Sequence, residues 1–381
     1  HLRTLRQYFK KSYRSGAIRD AVRGTDMDRL EKTRRLFVFY LVPDFTMLAF
    51  TSAVEVLRLA NETLGEDVYE WRLASADGGK VRSSCGLSLD VDGSVAAERA
   101  ALSSMQRPFM ALVCAGHHVE EHTDRLLDAW LRECRQRGVA VAGLCTGAHI
   151  LARAGLLANR RCTIHWENFP GFTEQFRSSQ VSLRLFDADG GVHTCAGGTA
   201  AFDMMSEIVK ADYGDAVVAG ICERGLVDRV RCATERQRLP FAKRVGDIHP
   251  AVKELIEKME NNLSDPIQID RLATSSRLSR RQIERLFRAE MGCSPARYYV
   301  KLRLERARLL LLQTSIPVVE VAIASGFLSA SHFSRCYRET FNCSPQETRN
   351  MRMETVPGWL EEAPARKVPA SRMPNLLVNA A

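Results

Sequence analysis

The stretch Val139-Ala-Val-Ala-Gly-Leu-Cys-Thr-Gly-Ala148 joins a short apolar run to the start of an apolar helix, with Cys145 at the turn between them. An unbroken run of small and β-branched residues suits a strand covered on both faces, as in a parallel sheet. Such a strand needs companions, and the apolar runs Leu36 to Val42 and Phe109 to Cys114 supply them. Helical patterns follow these runs: Ala53 to Ala60 reads as one, and Leu126, Leu127, Trp130, Leu131 and Cys134 share a face of another. Alternating strand and helix predicts right-handed crossovers in an α/β domain. The pattern ends near Arg224.

A cysteine at a sharp strand-to-helix turn has the geometry of a nucleophile elbow, where the helix start is expected to lower the thiol pKa. His165 follows twenty residues later, within Thr163-Ile-His-Trp166, as a candidate base, so a thiol hydrolase is one expectation. The other is that Cys145 is a small residue lining a pocket and His165 a polar ligand contact. Open α/β sheets bind ligands outside the carboxyl ends of their strands. The candidate ligand-binding residues there are Cys145, Thr146, His165, Trp166, Gly116, His117, Gly197 and Gly198. A helix start favours a carboxylate on the ligand and an aromatic residue such as Trp166 a cationic nitrogen, while Trp166, Phe169 and Phe172 each read individually as core rather than cage.

With 381 residues, two or three domains are expected. Apolar residues at 45% and charged residues at 26% exclude collagenous, coiled-coil and wholly disordered chains. The apolar runs fall short of the ~18 residues of a membrane helix, so no membrane partner is expected. Eleven scattered cysteines without a C-x-x-C pair suggest no disulfide framework and no zinc ribbon. No metal or cofactor is expected, and the setting is a reducing cytoplasm.

The net charge of +9 is unevenly spread. Residues 1–35 hold 11 Lys/Arg against 4 Asp/Glu, 36–230 hold 18 against 25, 231–352 hold 22 against 13, and 353–381 hold 3 of each. A mildly acidic body joined to a basic block suits a separate polyanion-binding module. The first segment lacks the apolar core of a signal peptide and is expected to be a basic extension without its own fold. Pro240, Gly246 and Pro250 mark a linker, and Pro357, Pro364, Pro369 and Pro374 a mostly disordered tail.

The basic block repeats itself. Phe287-Arg-Ala-Glu-Met-Gly-Cys-Ser-Pro295 matches Tyr337-Arg-Glu-Thr-Phe-Asn-Cys-Ser-Pro345 at an offset of 50 residues. In the second unit Val318 to Ala324 forms a helix, Gly326 the turn, and Ser329 onward a second helix. There Phe333, Cys336, Tyr337 and Phe341 share one side, leaving Ser331, Ser334, Arg335 and Arg338 on the other. In the first unit Ile283, Leu286, Phe287 and Met291 face inward while Arg281, Glu284, Arg285 and Arg288 face out. An apolar back with an Arg/Ser front fits the major groove of double-stranded DNA. Arg280 and His332 complete the candidate DNA-binding residues. Between the units Pro295 to Leu312 predicts one rigid helix of ~27 Å, near the ~34 Å between successive major grooves. The Ser294-Pro295 start of this Arg-rich helix is a further candidate phosphate contact.

Ile267 to Arg349 resembles the double helix-turn-helix domain of the AraC/XylS transcription regulators, above all in Pro317-Val-Val-Glu-Val-Ala-Ile-Ala-Ser-Gly-Phe327, Ser331-His-Phe-Ser-Arg335 and Cys343-Ser-Pro345. Arg277 departs from the pattern where Gly326 fits it. Residues 36–230 resemble the DJ-1/PfpI class of amidotransferase-like domains in Gly143-Leu-Cys-Thr-Gly-Ala148, Ala154-Gly-Leu-Leu157, Arg161-Cys-Thr-Ile-His-Trp166 and Thr194-Cys-Ala-Gly-Gly198. The resemblance implies a flavodoxin-like parallel-sheet domain followed by an all-α double helix-turn-helix domain. It divides the chain into a basic extension at 1–35, a ligand-sensing domain at 36–230, a linker at 231–250, a DNA-binding domain at 251–352 and a tail at 353–381. Two departures count against catalysis: aligning Glu55-Val-Leu-Arg58 puts Thr46 where this class carries an acidic partner for the cysteine, and Thr146 replaces the histidine of its peptidases. Asp44 is the remaining candidate acid. The expectation is therefore a degenerate elbow in a ligand-responsive transcription regulator, with an active thiol amidase fused to a DNA-binding domain as the alternative. By resemblance it is a homodimeric activator that meets RNA polymerase and answers a small nitrogenous effector such as arginine, glycine betaine or carnitine.

Overall fold

The computed structural model describes residues 34–237, 248–276 and 278–354. Residues 1–33 of the expected extension, 238–247 of the expected linker, the tail from 355 and Arg277 lie outside the described residues.

The first body begins with β1 (Arg35–Leu41), α1 (Met47–Leu64), β2 (Tyr69–Ser75), the short β3 (Val81–Arg82) and β4 (Ser88–Leu89), β5 (Gly93–Ser94) and α2 (Val95–Ala101). It continues through β6 (Met110–Cys114), α3 (Arg125–Gln136), β7 (Ala140–Leu144), α4 (Gly147–Arg153), β8 (Arg161–Thr163), α5 (Phe169–Gln175) and β9 (Gln180–Ser182). It closes with β10 (Phe186–Asp189), β11 (Val192–Cys195), α6 (Ala200–Tyr213) and α7 (Asp215–Gly225). Seven strands form one sheet in the order β10-β11-β7-β6-β1-β2-β5, in which β10 runs antiparallel to β11 and the other neighbours pair in parallel.

Alternation along β1 explains the layers. Phe37, Phe39 and Leu41 enter one core with Val56 and Leu57 of α1, Met205 of α6 and Ile221 of α7. Val38 and Tyr40 enter the opposite core with Leu127, Trp130 and Leu131 of α3 and Ile150 of α4. Strand residues are thus covered on both sides, which is why they form near-continuous apolar runs. The three strands expected from those runs appear as β1, β6 and β7, and the apolar stripe of α3 is buried at Leu127, Trp130, Leu131 and Cys134. Because the central strands are parallel, the turns after β1, β6, β7 and β11 all open at one end of the sheet.

The second body is helical: α8 (Pro250–Glu260), α9 (Ile269–Ser275), α10 (Arg280–Met291), α11 (Pro295–Gln313), α12 (Val318–Ala324), α13 (Ala330–Phe341) and α14 (Pro345–Glu354). The sequence repeat becomes a repeat of helix punctuation. Ser279 and Ser329 accept from backbone N–H groups of the first turns of α10 and α13. Gly292 and Asn342 end those helices in the left-handed conformation. Helix α11 spans two small cores. Tyr299 packs with Ile283 and Phe287, while Leu304, Ala307, Leu310 and Leu311 pack with Val321, Phe327, Phe333 and Tyr337. No described helix is long and apolar enough to cross a membrane.

The turn between α12 and α13 is held from α11. The Arg303 guanidinium donates to the carbonyls of Ser325 and Gly326 and lies 4.0 Å from the Phe327 ring centre. Gly326 has φ +75°, and a Cβ there would fall 2.7 Å from Pro266 Cγ and 2.8 Å from the Leu263 carbonyl oxygen. Gly292 has φ +70° with nothing within 4 Å of such a Cβ. Alanine at either position incurs ~1–2 kcal/mol of left-handed strain, but only at 326 does it also displace backbone. Gly326→Ala is therefore expected to lower the thermal unfolding midpoint clearly more than Gly292→Ala; equal losses would contradict the packing described for this turn.

Candidate functional site

Cys145 sits at the carboxyl end of β7 with φ 58°, a strained conformation for a side-chain-bearing residue. The turn is tight on both sides. A Cβ on Gly147 would lie 2.4 Å from the Val113 carbonyl oxygen, and one on Gly197 would lie 2.5 Å from the Cys145 Cβ. Thr146 is buried and donates its hydroxyl to the Gly116 carbonyl at 2.7 Å, tying the elbow to the turn after β6. Consequently Gly116, Cys145, Thr146 and Gly197 are brought together, with Gly198 beside them and Leu48, unnoticed in the sequence, exposed above Gly198.

The thiol does not behave as the elbow geometry alone suggests. Thr46 donates its hydroxyl to Cys145 Sγ at 3.5 Å, in the place where an acid is needed. Burial pushes the Cys145 thiol above its ordinary pKa, and the opposing hydrogen bonds from Thr46 and the Thr146 backbone do not reverse this. The expected lowering by the helix start is thus overridden by desolvation. Asp44, the other candidate acid, exerts its charge on His122, whose pKa burial nevertheless lowers.

His165 and Trp166 follow β8, with ring centres 5.7 Å apart. His165 Nδ1 lies 3.7 Å from Glu167 Oε2, and among the described residues no hydrogen bond joins His165 to the sulfur. Burial lowers the His165 pKa, opposed by Glu167 and reinforced by His117, so the ring is neutral at pH 7. His117 is exposed. Phe172 is core, and Phe169 packs against the same cluster. Glu167 was missed in the sequence, where a lone carboxylate beside His-Trp gave no periodic signal. Helix α6, which follows the Gly197-Gly198 turn, has no side-chain cap at its start. An open groove of about 550 Å³, lined by Arg34, Tyr69, Trp71 and Arg107 among others, lies at the opposite, amino ends of β1 and β2.

In the helical body the candidate DNA-binding faces are largely as spaced. Arg280, Arg281, Arg285, Arg288, Ser331, His332, Arg335 and Arg338 are exposed; Glu284 and Ser334 are half-buried. Among the described residues no ion pair engages Arg281, Arg285, Arg288, Arg335 or Arg338. Arg280 pairs with Asp270 and Glu284, and His332 contacts Cys336 on its own helix. Three of the four arginines of α11 make contacts within the protein: Arg303 holds the turn, Arg306 faces Glu174, and Arg308 lies over Phe341. The Ser294 hydroxyl caps its own helix at Arg297 N.

Comparison with known proteins gives two family matches: a helix-turn-helix domain at residues 272–351 and the DJ-1/PfpI family at 36–211. The HTH-type transcriptional regulator GbdR of Pseudomonas aeruginosa is 39% identical over 82% of this chain and 83% of its own. CdhR of the same species, also an HTH-type transcriptional regulator, is 38% identical over 82% and 91%. The regulator GlxA of Rhizobium meliloti is 34% identical over 82% and 94%. Among solved structures, an AraC family transcriptional regulator from Pseudomonas putida is 30% identical over 50% of this chain and 98% of that chain, with TM-score 0.44.

The thiols supply a test of the elbow. Cys85 and Cys232 are exposed, and hydrogen bonds from Ser83 and Thr234 hold their thiols below the ordinary pKa, whereas Cys145 is buried and shifted upward. In folded protein at pH 7.5, iodoacetamide should label Cys85 and Cys232 first and Cys145 about tenfold more slowly or less, gaining as pH rises. Peptide mass spectrometry follows each site; a Cys145 that labels first at neutral pH would mean a thiolate at the elbow.

Proposed function

From the premise that the chain belongs to the transcription regulators that join a DJ-1/PfpI domain to an AraC-type helix-turn-helix domain, we propose that its first body senses a small zwitterionic amine and its second reads two segments of DNA. The protein is an HTH-type transcription regulator, not a thiol hydrolase. Its elbow is a pocket lining in which a neutral thiol meets the Thr46 hydroxyl.

We place the sensing domain at 36–230, the linker at 231–250 and the DNA-binding domain at 251–352. The observation that carries the effector reading is the convergence of opposite chemistries at one end of the sheet. The Gly198 and Thr199 N–H groups of the turn into α6 offer donors to a carboxylate, those of Ala200, Ala201 and Phe202 being taken by carbonyls of the turn, while Trp166 and the Glu167 carboxylate offer an aromatic face and a charge to a cationic nitrogen. Cys145, Thr146, Thr46, His165, Gly116 and His117 frame the space between. Glycine betaine, carnitine and arginine share this chemistry. The regulator acts as a cytoplasmic homodimer that contacts RNA polymerase as an activator of genes for breakdown of its effector.

For the DNA side, Arg281 and Arg335 lie on different readers with no ion pair among the described residues to hold them back. Arg281→Ala and Arg335→Ala are each expected to cost ~1–3 kcal/mol and to relax base preference at different positions. Selection of duplexes from a random pool by full-length wild type and variants reads this out, and uniform weakening on every sequence would reduce both residues to phosphate contacts.

For the effector side, thermal melting with glycine betaine, carnitine or arginine should raise the unfolding midpoint for at least one, by ~2.7 kcal/mol of stabilisation at a hundredfold excess over Kd. Trp166→Ala should abolish the shift. Stabilisation that survives in that variant would move the effector elsewhere, and no stabilisation by any of the three would remove this ligand class.

A further inference from the structure

Two segments tie the helical body to the first one, and both are fastened to the same short stretch. Gln237, in the first part of the proposed linker and the last residue described before 238–247, donates its side-chain amide to the Thr163 hydroxyl at 2.9 Å, the Ile164 carbonyl at 2.9 Å and the Arg184 carbonyl at 2.8 Å. Gln313, the last residue of α11, donates its amide to the Glu167 carbonyl at 2.8 Å. Between these attachment points lie His165 and Trp166. The Glu167 carboxylate faces His165 while its carbonyl holds α11, so one residue touches both the pocket and the reader helix.

The contact continues along α5. Gly171 lies flat against the end of α11: a Cβ there would come within 3.1 Å of Gln313 Cβ and Thr314 Cγ2. One helical turn on, the Glu174 carboxylate stands 4.0 Å from the Arg306 guanidinium. Both readers pack on α11, so whatever fixes its carboxyl end fixes both at once.

The contact is closely fitted yet incompletely satisfied. Among the described residues, the side-chain oxygens of Gln237 and Gln313 and Arg306 Nε are buried without a hydrogen-bond partner. Buried polar atoms left unpaired make an interface cheaper to open than its area suggests, because opening returns them to water. A shallow docked state is what a switch requires, since a ligand can shift an equilibrium only by its differential affinity for the two states.

We propose that Thr163–Gln175 is the coupling element of this regulator, transmitting occupancy of the pocket to both DNA readers by making or releasing the contact of Glu167, Gly171 and Glu174 with Gln313 and Arg306. This rests on the reading that His165 and Trp166 meet the effector. An effector nitrogen that recruits the Glu167 carboxylate turns the peptide whose carbonyl holds Gln313. The Gln237 attachment ties the proposed linker to the same stretch.

The test uses full-length protein in wild-type form and as Gly171→Gln, a wedge at the contact, Gln313→Ala, which removes the amide, and Ser178→Ala, a control on an exposed neighbouring side chain. Hydrogen exchange of peptides covering 165–175 and 306–314 is measured, together with affinity for a duplex selected from a random pool by the wild type. Both contact variants should raise exchange in both segments and shift duplex affinity in the same direction by about fivefold or more, with Ser178→Ala unchanged. Raised exchange with wild-type duplex affinity, or unchanged exchange in both contact variants, would overturn the coupling. In a second arm glycine betaine, carnitine and arginine are added singly: an amine that stabilises should alter exchange at 306–314 in wild type and lose that effect in Gln313→Ala while still stabilising it. An effect retained in Gln313→Ala would overturn the route through α11. If no amine stabilises the wild type, the effector reading fails while the duplex arm still decides the coupling.

Discussion

The left-handed backbone at Cys145 is the constraint around which this end of the sheet is arranged. With the chain turned at φ 58°, the neighbouring backbones close in until residues 147 and 197 have no room for a Cβ. The Thr146 hydroxyl then reaches the Gly116 carbonyl, fixing the loops after β6, β7 and β11 as one unit. Burial of the thiol in that closed space decides the chemistry. The thiol stays protonated because the medium that would stabilise its charge has been excluded. A carboxylate at position 46 would offer a proton acceptor, and the Thr46 hydroxyl there offers only a weak hydrogen bond.

With Cys145 protonated and His165 neutral, the charge that remains beside His165 is the Glu167 carboxylate. Under the proposed reading this end of the sheet is a recognition site rather than a catalytic couple, with the Glu167 carboxylate and the Trp166 ring offered to a cationic nitrogen.

What the sequence discloses, it discloses through repetition. β1, β6 and β7 were legible because strands covered on both faces are apolar without interruption, and the double reader was legible because a 50-residue offset preserves caps, core positions and turn together. β2 was missed: its Tyr-Glu-Trp-Arg-Leu-Ala-Ser mixes charge into a strand near the sheet edge, with only Tyr69, Ala74 and Ser75 buried. The direction of the Cys145 shift was missed because helix starts are local and visible, whereas burial is a property of the finished fold. Gln237 and Gln313 were invisible for the same reason. They act through side-chain hydrogen bonds to residues far away in the chain, and no periodicity marks such a residue. Composition also misassigns the arginines of α11, where Arg303 and Arg306 spend their charge inside the protein.

Arg303 has a consequence for the sites this protein can occupy. By gripping the turn of the second reader from the helix that also anchors the first, it turns the pair into a calliper with a fixed opening. α11 has 19 residues and is about 28 Å long, and the two readers pack side by side along it. One base pair inserted between the two contacted segments rotates the second out of phase by roughly 35°, a mismatch that a rigid rod has no means to absorb. The two readers of one chain are thus held by α11 in a single relation and meet the phase of the double helix together.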